Sequence, residues 1–270
     1  GATTVNAGKL TVTGSIASAV VTVNNAATLE VDGAAIADTA AITLNNTSTL
    51  NLTGSETIGS LAGASGSFVT LNANTLTTGG DNTSTTYAGV ISGTGGGLTK
   101  AGTGTFTLTG ANTYTGATNV NAGVLNIQDA AALGTSAAGT TVASGAALEI
   151  QGGITVASEA LTLNGSGISN GGALRNISGA NTYNGNITLG SAARINADAG
   201  SLTVGGTITN AGFLLTVGGA ANTALNGVIS GTGGLTKDGA GTTTLGGAND
   251  YSGATTVNAG KLTVTGSIAS

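Results

Sequence analysis

The 270-residue sequence contains no cysteine, histidine, proline, tryptophan or methionine. Without cysteine the chain can form no disulfide cross-link and carry out no thiol chemistry. Without histidine and cysteine, the chain can assemble neither a Ser–His–Asp triad nor a Cys–His pair, and it offers zinc only carboxylate ligands. The lack of proline fits a chain in which almost every backbone N–H is needed by a hydrogen-bond ladder, because proline cannot donate.

Aromatic and charged residues are also scarce, at 3% and 6% of the chain, whereas 40% of residues are apolar and 49 are glycine. Disordered chains normally combine few apolar residues with high net charge, so this composition predicts a folded chain with a core of small side chains. The net charge of −5 disfavours nucleic acid and anionic membranes as partners. No apolar run approaches the roughly 18 residues of a spanning helix, so we expect no membrane insertion of this segment.

The sequence begins and ends with the same eighteen residues, since GATTVNAGKLTVTGSIAS stands at 1–18 and again at 253–270. Repeats of this kind decide the architecture of a protein. We therefore predict one 252-residue tandem repeat, 1–252, followed by the first 18 residues of the next, 253–270. We expect both termini to continue into further coils, in the same chain or in a neighbour.

Shorter motifs recur inside this unit. A long block at 89–127 is repeated at 227–264 with one glycine deleted. The motif GANxYxG occurs three times, and the tripeptide NAG begins at Asn6, Asn121 and Asn258; the GANxYxG copies are 110–116, 179–185 and 247–253. Nothing in the sequence marks a boundary between unlike domains, so we predict a single continuous domain over 1–270.

The local pattern is typical of short β-strands. Segments such as VTV at 21–23, LNL at 50–52 and FTL at 106–108 alternate apolar and polar residues, which indicates strands with one buried face. Such strands also fit a sandwich or barrel. The open-ended repeat and the Gly- and Asn-rich corners favour an all-β parallel β-solenoid of 11–13 coils, with these residues inside: Val5, Leu10, Val120, Leu125, Val257 and Leu262.

The block GVISGTGGLTKDGAGTTTLGGANDYSGATTVNAGKLTV at 227–264 resembles the passenger-associated, or autotransporter-associated, β-strand repeat of large secreted bacterial proteins. The resemblance is carried by G-x-G-G-L-T-K-x-G-x-G-T and G-A-N-x-Y-x-G-A-T-x-V-N-A-G, and it covers about half of the chain. It implies a right-handed parallel β-helix outside the cell of a Gram-negative bacterium, with the repeat assisting secretion and folding of the passenger.

The carboxylates are the remaining candidates for chemistry. Glu30 and Asp32 stand two apart on one predicted strand, so both point to the same face. They could hold a calcium ion or act as an acid/base pair, but solvent-facing positions on a sheet explain them better. The glycine runs at 93–97 and 231–234 lack the third glycine and the following helix of a dinucleotide-binding motif, and they are interpreted as turns. We predict no catalytic, cofactor-binding or metal-binding residues.

Two other residue types need an interpretation. The chain has four tyrosines, of which Tyr114, Tyr183 and Tyr251 share the GANxYxG motif and Tyr87 does not. They could stack on sugars, but rings packed over glycine-rich corners are the better prediction. Lys100 and Lys237 occupy equivalent positions and are expected at a sheet edge or along its surface.

We predict a structural, non-catalytic shaft or fibre segment of a giant extracellular protein, stiffened by stacked Asn and Thr ladders. The alternative is an adhesin or carbohydrate-binding passenger whose lateral face contacts a ligand. A binding face would carry a clustered aromatic or acidic patch, or would differ between 252-residue copies. The predicted partner is the protein itself, end to end or in lateral bundles; surface glycans come second.

Overall fold

The computed structural model describes residues 1–269. The chain divides into two compact units, Gly1–Ala138 and Gly139–Ser270. Apart from one 3-10 turn, Ile168–Asn170, all regular elements of the described residues are β-strands. Over the same residues, no helix is long and apolar enough to cross a membrane.

The first unit is built from short strands that pair in parallel with the strands one coil away. Their bounds are β1 Thr3–Val5, β2 Lys9–Val12, β3 Val20–Val23, β4 Thr28–Asp32, β5 Ala41–Leu44, β6 Thr49–Gly54, β7 Glu56–Thr57, β8 Ser60–Gly63, β9 Phe68–Thr70, β10 Thr75–Thr78, β11 Thr85–Tyr87, β12 Val90–Ser92, β13 Gly97–Lys100, β14 Thr105–Leu108, β15 Thr118–Val120 and β16 Val124–Ile127. They form three ladders: β1-β3-β5-β8-β11-β14-β16, β2-β4-β6-β9-β12 and β7-β10-β13-β15. The longest ladder gives this unit seven turns.

The second unit follows the same plan. Its strands are β17 Thr140–Val142, β18 Ala147–Gln151, β19 Thr155–Val156, β20 Leu161–Gly165, β21 Leu174–Ser178, β22 Ala180–Tyr183, β23 Ile187–Ala197, β24 Ser201–Val204, β25 Ile208–Thr209, β26 Leu215–Gly218, β27 Asn222–Leu225, β28 Ile229–Ser230, β29 Leu235–Lys237, β30 Thr242–Leu245, β31 Ala248–Asn249, β32 Thr255–Val257, β33 Lys261–Val264 and β34 Ser267–Ile268. The ladders are β18-β21-β23-β26-β29-β32, β19-β22-β24-β27-β30-β33 and β17-β20-β23-β25-β28, with β31 paired to β34. The long strand β23 contributes to two ladders, and the unit has six turns.

Both units are therefore parallel β-solenoids, as predicted, and seven and six turns agree with the expected 11–13 coils. Each inward position stacks on its equivalent one coil away. Val21 is in register with Ile42, and Ile42 with Leu61, and all three are buried. Full burial of such a side chain stabilises the fold by about 1.5–3 kcal/mol. The alternation of apolar and polar residues therefore determines which side of each strand faces the core.

The predicted core is only partly confirmed. Val5, Val120 and Leu125 are buried, but Leu10 is 36% exposed and Val257 is 49% exposed; Leu262 is half-buried. Within the described residues, the strands that carry the latter three, β2, β32 and β33, each pair with one neighbouring strand only. An inward side chain covered from one side keeps part of its surface in water.

The corners carry the expected asparagine ladder. Nδ2 of Asn24 donates to Oδ1 of Asn6 at 2.9 Å, and Nδ2 of Asn45 donates to Oδ1 of Asn24 at 2.8 Å. The residues that follow Asn24 and Asn45 are also asparagines and adopt a left-handed conformation, with φ of 51° at Asn25 and 55° at Asn46. Asparagine tolerates this conformation better than most residues. Amide-to-amide bonds thus connect successive coils outside the backbone ladders.

Candidate functional site

The asparagine of the GANxYxG motif is buried and connects neighbouring coils. Oδ1 of Asn112 accepts a hydrogen bond from the backbone N–H of Ile91 at 2.8 Å, and its Nδ2 donates to the carbonyl of Ala132 at 2.6 Å. These partners lie 21 residues before and 20 residues after Asn112. One side chain therefore joins its own coil to the coils on both sides.

The second repeat copy reproduces this bridge. Oδ1 of Asn249 accepts from the N–H of Ile229 at 2.9 Å, and its Nδ2 donates to the carbonyls of Gly247 and Ser267, each at 2.9 Å. The third motif copy keeps half of it, because Oδ1 of Asn181 accepts from Ile154 N–H at 2.7 Å while its Nδ2 bonds locally.

The tyrosines lie inside the coils. All four are at most 1% exposed, so their rings cannot stack on a sugar. The predicted packing against glycine corners is confirmed for Tyr87 and Tyr114, whose rings border Gly63 and Gly134. A Cβ on Gly63 would approach the Tyr87 ring to 2.6 Å. The hydroxyl of Tyr114 lies 2.6 Å from Oγ1 of Thr118, which satisfies both buried groups within one motif.

The prediction for the two lysines is wrong. Lys100 and Lys237 are 0% and 1% exposed, and they occupy inward positions of β13 and β29. The Lys100 ammonium donates to the carbonyls of its own corner, Ala101 and Gly102, and at 3.3 Å to that of Ala122. The long aliphatic stem packs in the core while the charged end reaches backbone oxygens.

Lys237 makes the equivalent contacts in the second repeat. Its ammonium donates to the carbonyl of Gly239 and, at 3.2 Å, to that of Ala259 in the next coil. Ala122 and Ala259 are the central residues of two NAG tripeptides. Burial lowers the pKa of Lys100 to about 8, and the Asp81 carboxylate partly opposes this. Each lysine thus joins the Leu-Thr-Lys strand to the following NAG corner.

Glu30 and Asp32 face outward, as predicted, and Glu30 is held by neighbours. Oε2 of Glu30 lies 2.6 Å from the Lys9 ammonium and accepts from Nδ2 of Asn51 at 2.8 Å. The hydrogen bond from Lys9, followed by that from Asn51, lowers the pKa of Glu30. Within residues 1–269 no group of three or more Asp or Glu residues is placed to hold a metal ion.

Of the three buried glutamates, Glu56 and Glu159 form no ion pair among residues 1–269, and the sequence analysis missed both. Glu56 accepts hydrogen bonds from the N–H groups of Ala35, Ile36 and Thr57, at 2.9, 3.5 and 3.2 Å. Glu159 is 5% exposed and accepts from Oγ1 of Thr140 at 3.0 Å. Burial raises the pKa of both carboxyls, and the hydrogen bonds, which lower the pKa, offset this rise only in part. No sequence pattern distinguishes them from exposed glutamates.

Replacing Glu159 with glutamine should stabilise the protein at pH 8. A carboxyl whose pKa is raised on folding contributes most stability below its unfolded pKa, near 4.5, and this contribution is lost as the pH rises through the folded value. Glutamine keeps the Thr140 bond without the charge. We expect Tm at pH 8 to rise by about 2–4 °C and the fall in Tm between pH 4.5 and 8 to become smaller, as measured by circular dichroism.

Glu149→Gln is the matched control, since Glu149 is paired with Arg175 at 3.1 Å. That substitution should lower Tm at pH 8. If Glu159→Gln lowered Tm equally at pH 4.5 and pH 8, burial of the Glu159 charge would not be the cause of the pH dependence.

The two arginines of the chain form ion pairs that sequence analysis also missed. Nε of Arg175 donates to Oδ2 of Asp198 at 2.7 Å, and its Nη1 donates to Glu149. Nη1 of Arg194 donates to Oδ2 of Asp238 at 2.6 Å. These groups come together because in-register pairing stacks strand positions that lie one or two coils apart, as between Glu149 and Arg175.

The family model of the passenger-associated-transport-repeat matches residues 98–127 and 235–264. Each match spans one Leu-Thr-Lys strand, one GANxYxG motif and one NAG corner, which are the segments that carry the buried lysine and the bridging asparagine. No curated protein and no solved structure matches the chain. This family implies secretion to the cell surface. Two segments of the β-solenoid therefore match the passenger-associated-transport repeat, which fits a segment of an autotransporter passenger.

Proposed function

We propose that this segment is a structural, non-catalytic shaft of a large surface or secreted protein of a Gram-negative bacterium. The observation that carries the proposal is the pair of buried asparagine bridges. Asn112 and Asn249 each connect three consecutive coils, and each stands in a copy of the same repeat. Such bonds resist the sliding and separation of coils, which is what a stiff spacer requires.

The buried lysines support the same role. Each places an ammonium among backbone carbonyls of two successive coils, and hydrogen bonds to a charged group are the stronger ones, about 1.5–3 kcal/mol. The repeat therefore buries one lysine and one asparagine, which hydrogen-bond neighbouring coils to each other.

End-to-end continuation is part of the proposal. The first strand of the repeated eighteen-residue segment pairs through opposite hydrogen-bonding edges in its two copies. Thr3–Val5 pairs with the following β3, whereas Thr255–Val257 pairs with the preceding β29. One copy can therefore accept a coil on either side. In a tandem array the segment would lie between a preceding coil like 235–252 and a following coil like 19–38.

The adhesin alternative concerns the lateral surface, where the buried tyrosines offer no aromatic patch. An adhesin would need another recognition surface, and the charged cluster at Arg194 is the place to look for one. A shaft and a lateral ligand site are compatible in one chain.

The shaft proposal is tested by particle length. Chains of one, two and three 252-residue units are purified and imaged by negative-stain electron microscopy. We expect the length to grow by about 55–65 Å per unit, at about 4.8 Å per coil, with constant width. Compact particles whose width increases with unit number would contradict the proposal, as would flexible strings of separate globules.

A further inference from the structure

One coil of the second unit is longer than its neighbours. Val156 is in register with Tyr183, 27 residues later, whereas Ile195 is in register with Val217, 22 residues later. The additional residues lie in the loop 166–173, which contains the 3-10 turn and two left-handed residues, Ser169 and Asn170. Insertions into individual coils of a repeat protein commonly lie on its binding face.

This loop borders a cleft of about 330 Å³, which lies at the small end of the range for ligand pockets. Five polar side chains line it: Ser166 and Asn170 from the loop, and Arg194, Thr216 and Asp238 from three successive coils. Two alanine methyl groups complete the wall. Hydroxyl, amide, guanidinium and carboxylate groups thus converge on one space.

The ion pair in the cleft leaves one acceptor unused. Oδ2 of Asp238 accepts from Nη1 of Arg194 at 2.6 Å. Oδ1 of Asp238 is buried, yet no residue among 1–269 donates a hydrogen bond to it. A buried acceptor without a partner is costly, and in native proteins it calls for a ligand or a water molecule.

The charge of the cleft selects the class of ligand. Arg194 is neutralised by Asp238, so an anion gains little there, and the same pair disfavours a cation. The remaining groups are Thr216 and the pair Ser166 and Asn170, in which the Ser166 hydroxyl donates to Asn170 Oδ1 at 2.6 Å. The Asn170 amide N–H groups and the Thr216 hydroxyl can bond a ligand. A hydroxyl group matches this lining, since it can accept from an N–H of Arg194 or Asn170 and donate to the Thr216 hydroxyl. A shift of the partly exposed Asp238 carboxylate would also let the hydroxyl donate to Oδ1.

We propose that this cleft binds a neutral, hydroxyl-rich ligand, namely a mono- or disaccharide unit of a glycan. The site is a property of the second repeat only, because the first repeat has Ala101 where the second has Asp238. The cleft would give the shaft a lateral recognition point beyond its mechanical role. Loss of the site would leave the coil-to-coil bonds intact.

The test is a titration of the 270-residue chain with a panel of sugars, followed by ¹H–¹⁵N NMR. The probes are glucose, galactose, N-acetylglucosamine and maltose, with glucuronate and glucosamine as charged counterparts. We expect at least one neutral sugar to bind with a Kd of about 0.1–10 mM and to shift the amide signals of Ser166, Asn170 and Thr216. The charged counterparts should bind at least about tenfold more weakly.

Asp238→Ala should weaken binding at least about tenfold, and it should fold, since alanine occurs naturally at position 101. Asn170→Gly is the second variant, because glycine accepts the φ of 60° at that residue while removing the amide. Asp32→Ala, in the first unit, is the control and should bind like the unaltered chain. Absence of shifts with every neutral sugar, unchanged binding by Asp238→Ala, or preference for a charged sugar would each overturn the proposal.

Discussion

Replacing Asn112 with alanine is expected to lower the free energy of unfolding by about 2–5 kcal/mol. The substitution removes the acceptor of Ile91 N–H and the donor to the Ala132 carbonyl. Both backbone groups would then be buried without a partner, at a cost of about 1–3 kcal/mol each. Urea unfolding followed by circular dichroism measures the loss as a lower midpoint with an unchanged slope.

Asn119→Thr is the matched control. Asn119 lies on the outward row of β15, and the second repeat has Thr256 at the equivalent position. The midpoint should stay within about 0.5 kcal/mol of the unaltered chain. Asn249→Ala should behave like Asn112→Ala. If Asn112→Ala were as mild as Asn119→Thr, the asparagine bridge would not hold the coils together.

Gly123→Ala is expected to lower the free energy of unfolding by about 3 kcal/mol or more. Gly123, the glycine of an NAG tripeptide, has φ of 62°, where a Cβ costs about 1–2 kcal/mol. The new Cβ would also lie 2.5 Å from the carbonyl oxygens of Gly102 and Gly104. These oxygens belong to the backbone of the preceding coil, so relief requires the two corners to separate. The measurement is again urea unfolding.

Gly80→Ala separates this clash from a general effect of glycine replacement. Its Cβ would have its nearest neighbour at 3.6 Å, the carbonyl oxygen of Asp38, and its φ is not in the left-handed region. We expect a change of at most about 0.5 kcal/mol. Equal losses for the two substitutions would show that the close approach of the corners is not what makes Gly123 necessary.

The alternation of apolar and polar residues was sufficient to predict the strands, and the tandem repeat was sufficient to favour a solenoid over a closed sheet. The same alternation also indicates on which side of its strand a lysine lies. Leu98 and Lys100 are two residues apart on one strand, and their side chains therefore share a face. This spacing indicates an inward Lys100, whereas its charge favours the surface; the side chain is buried, so the prediction of a surface lysine is wrong.

The Arg194 cleft illustrates what a repeat pattern cannot supply. Arg194 and Asp238 are 44 residues apart, and nothing in their local sequence links them. They meet because the coil of Thr216, which lies between them, is in register with the coils on both sides. The length of each coil, which varies here between neighbours, decides which outward residues become adjacent.

The sequence by itself determined that this protein is an all-β solenoid of repeated coils with a small-residue core, because strand alternation and tandem duplication are written along the chain. Only the tertiary structure decided which polar residues lie inside. Asn112 and Glu159 carry no local mark of burial, and each is buried because a backbone group of another coil, about 20 residues away in the chain, or a side chain such as Thr140, supplies its hydrogen bonds.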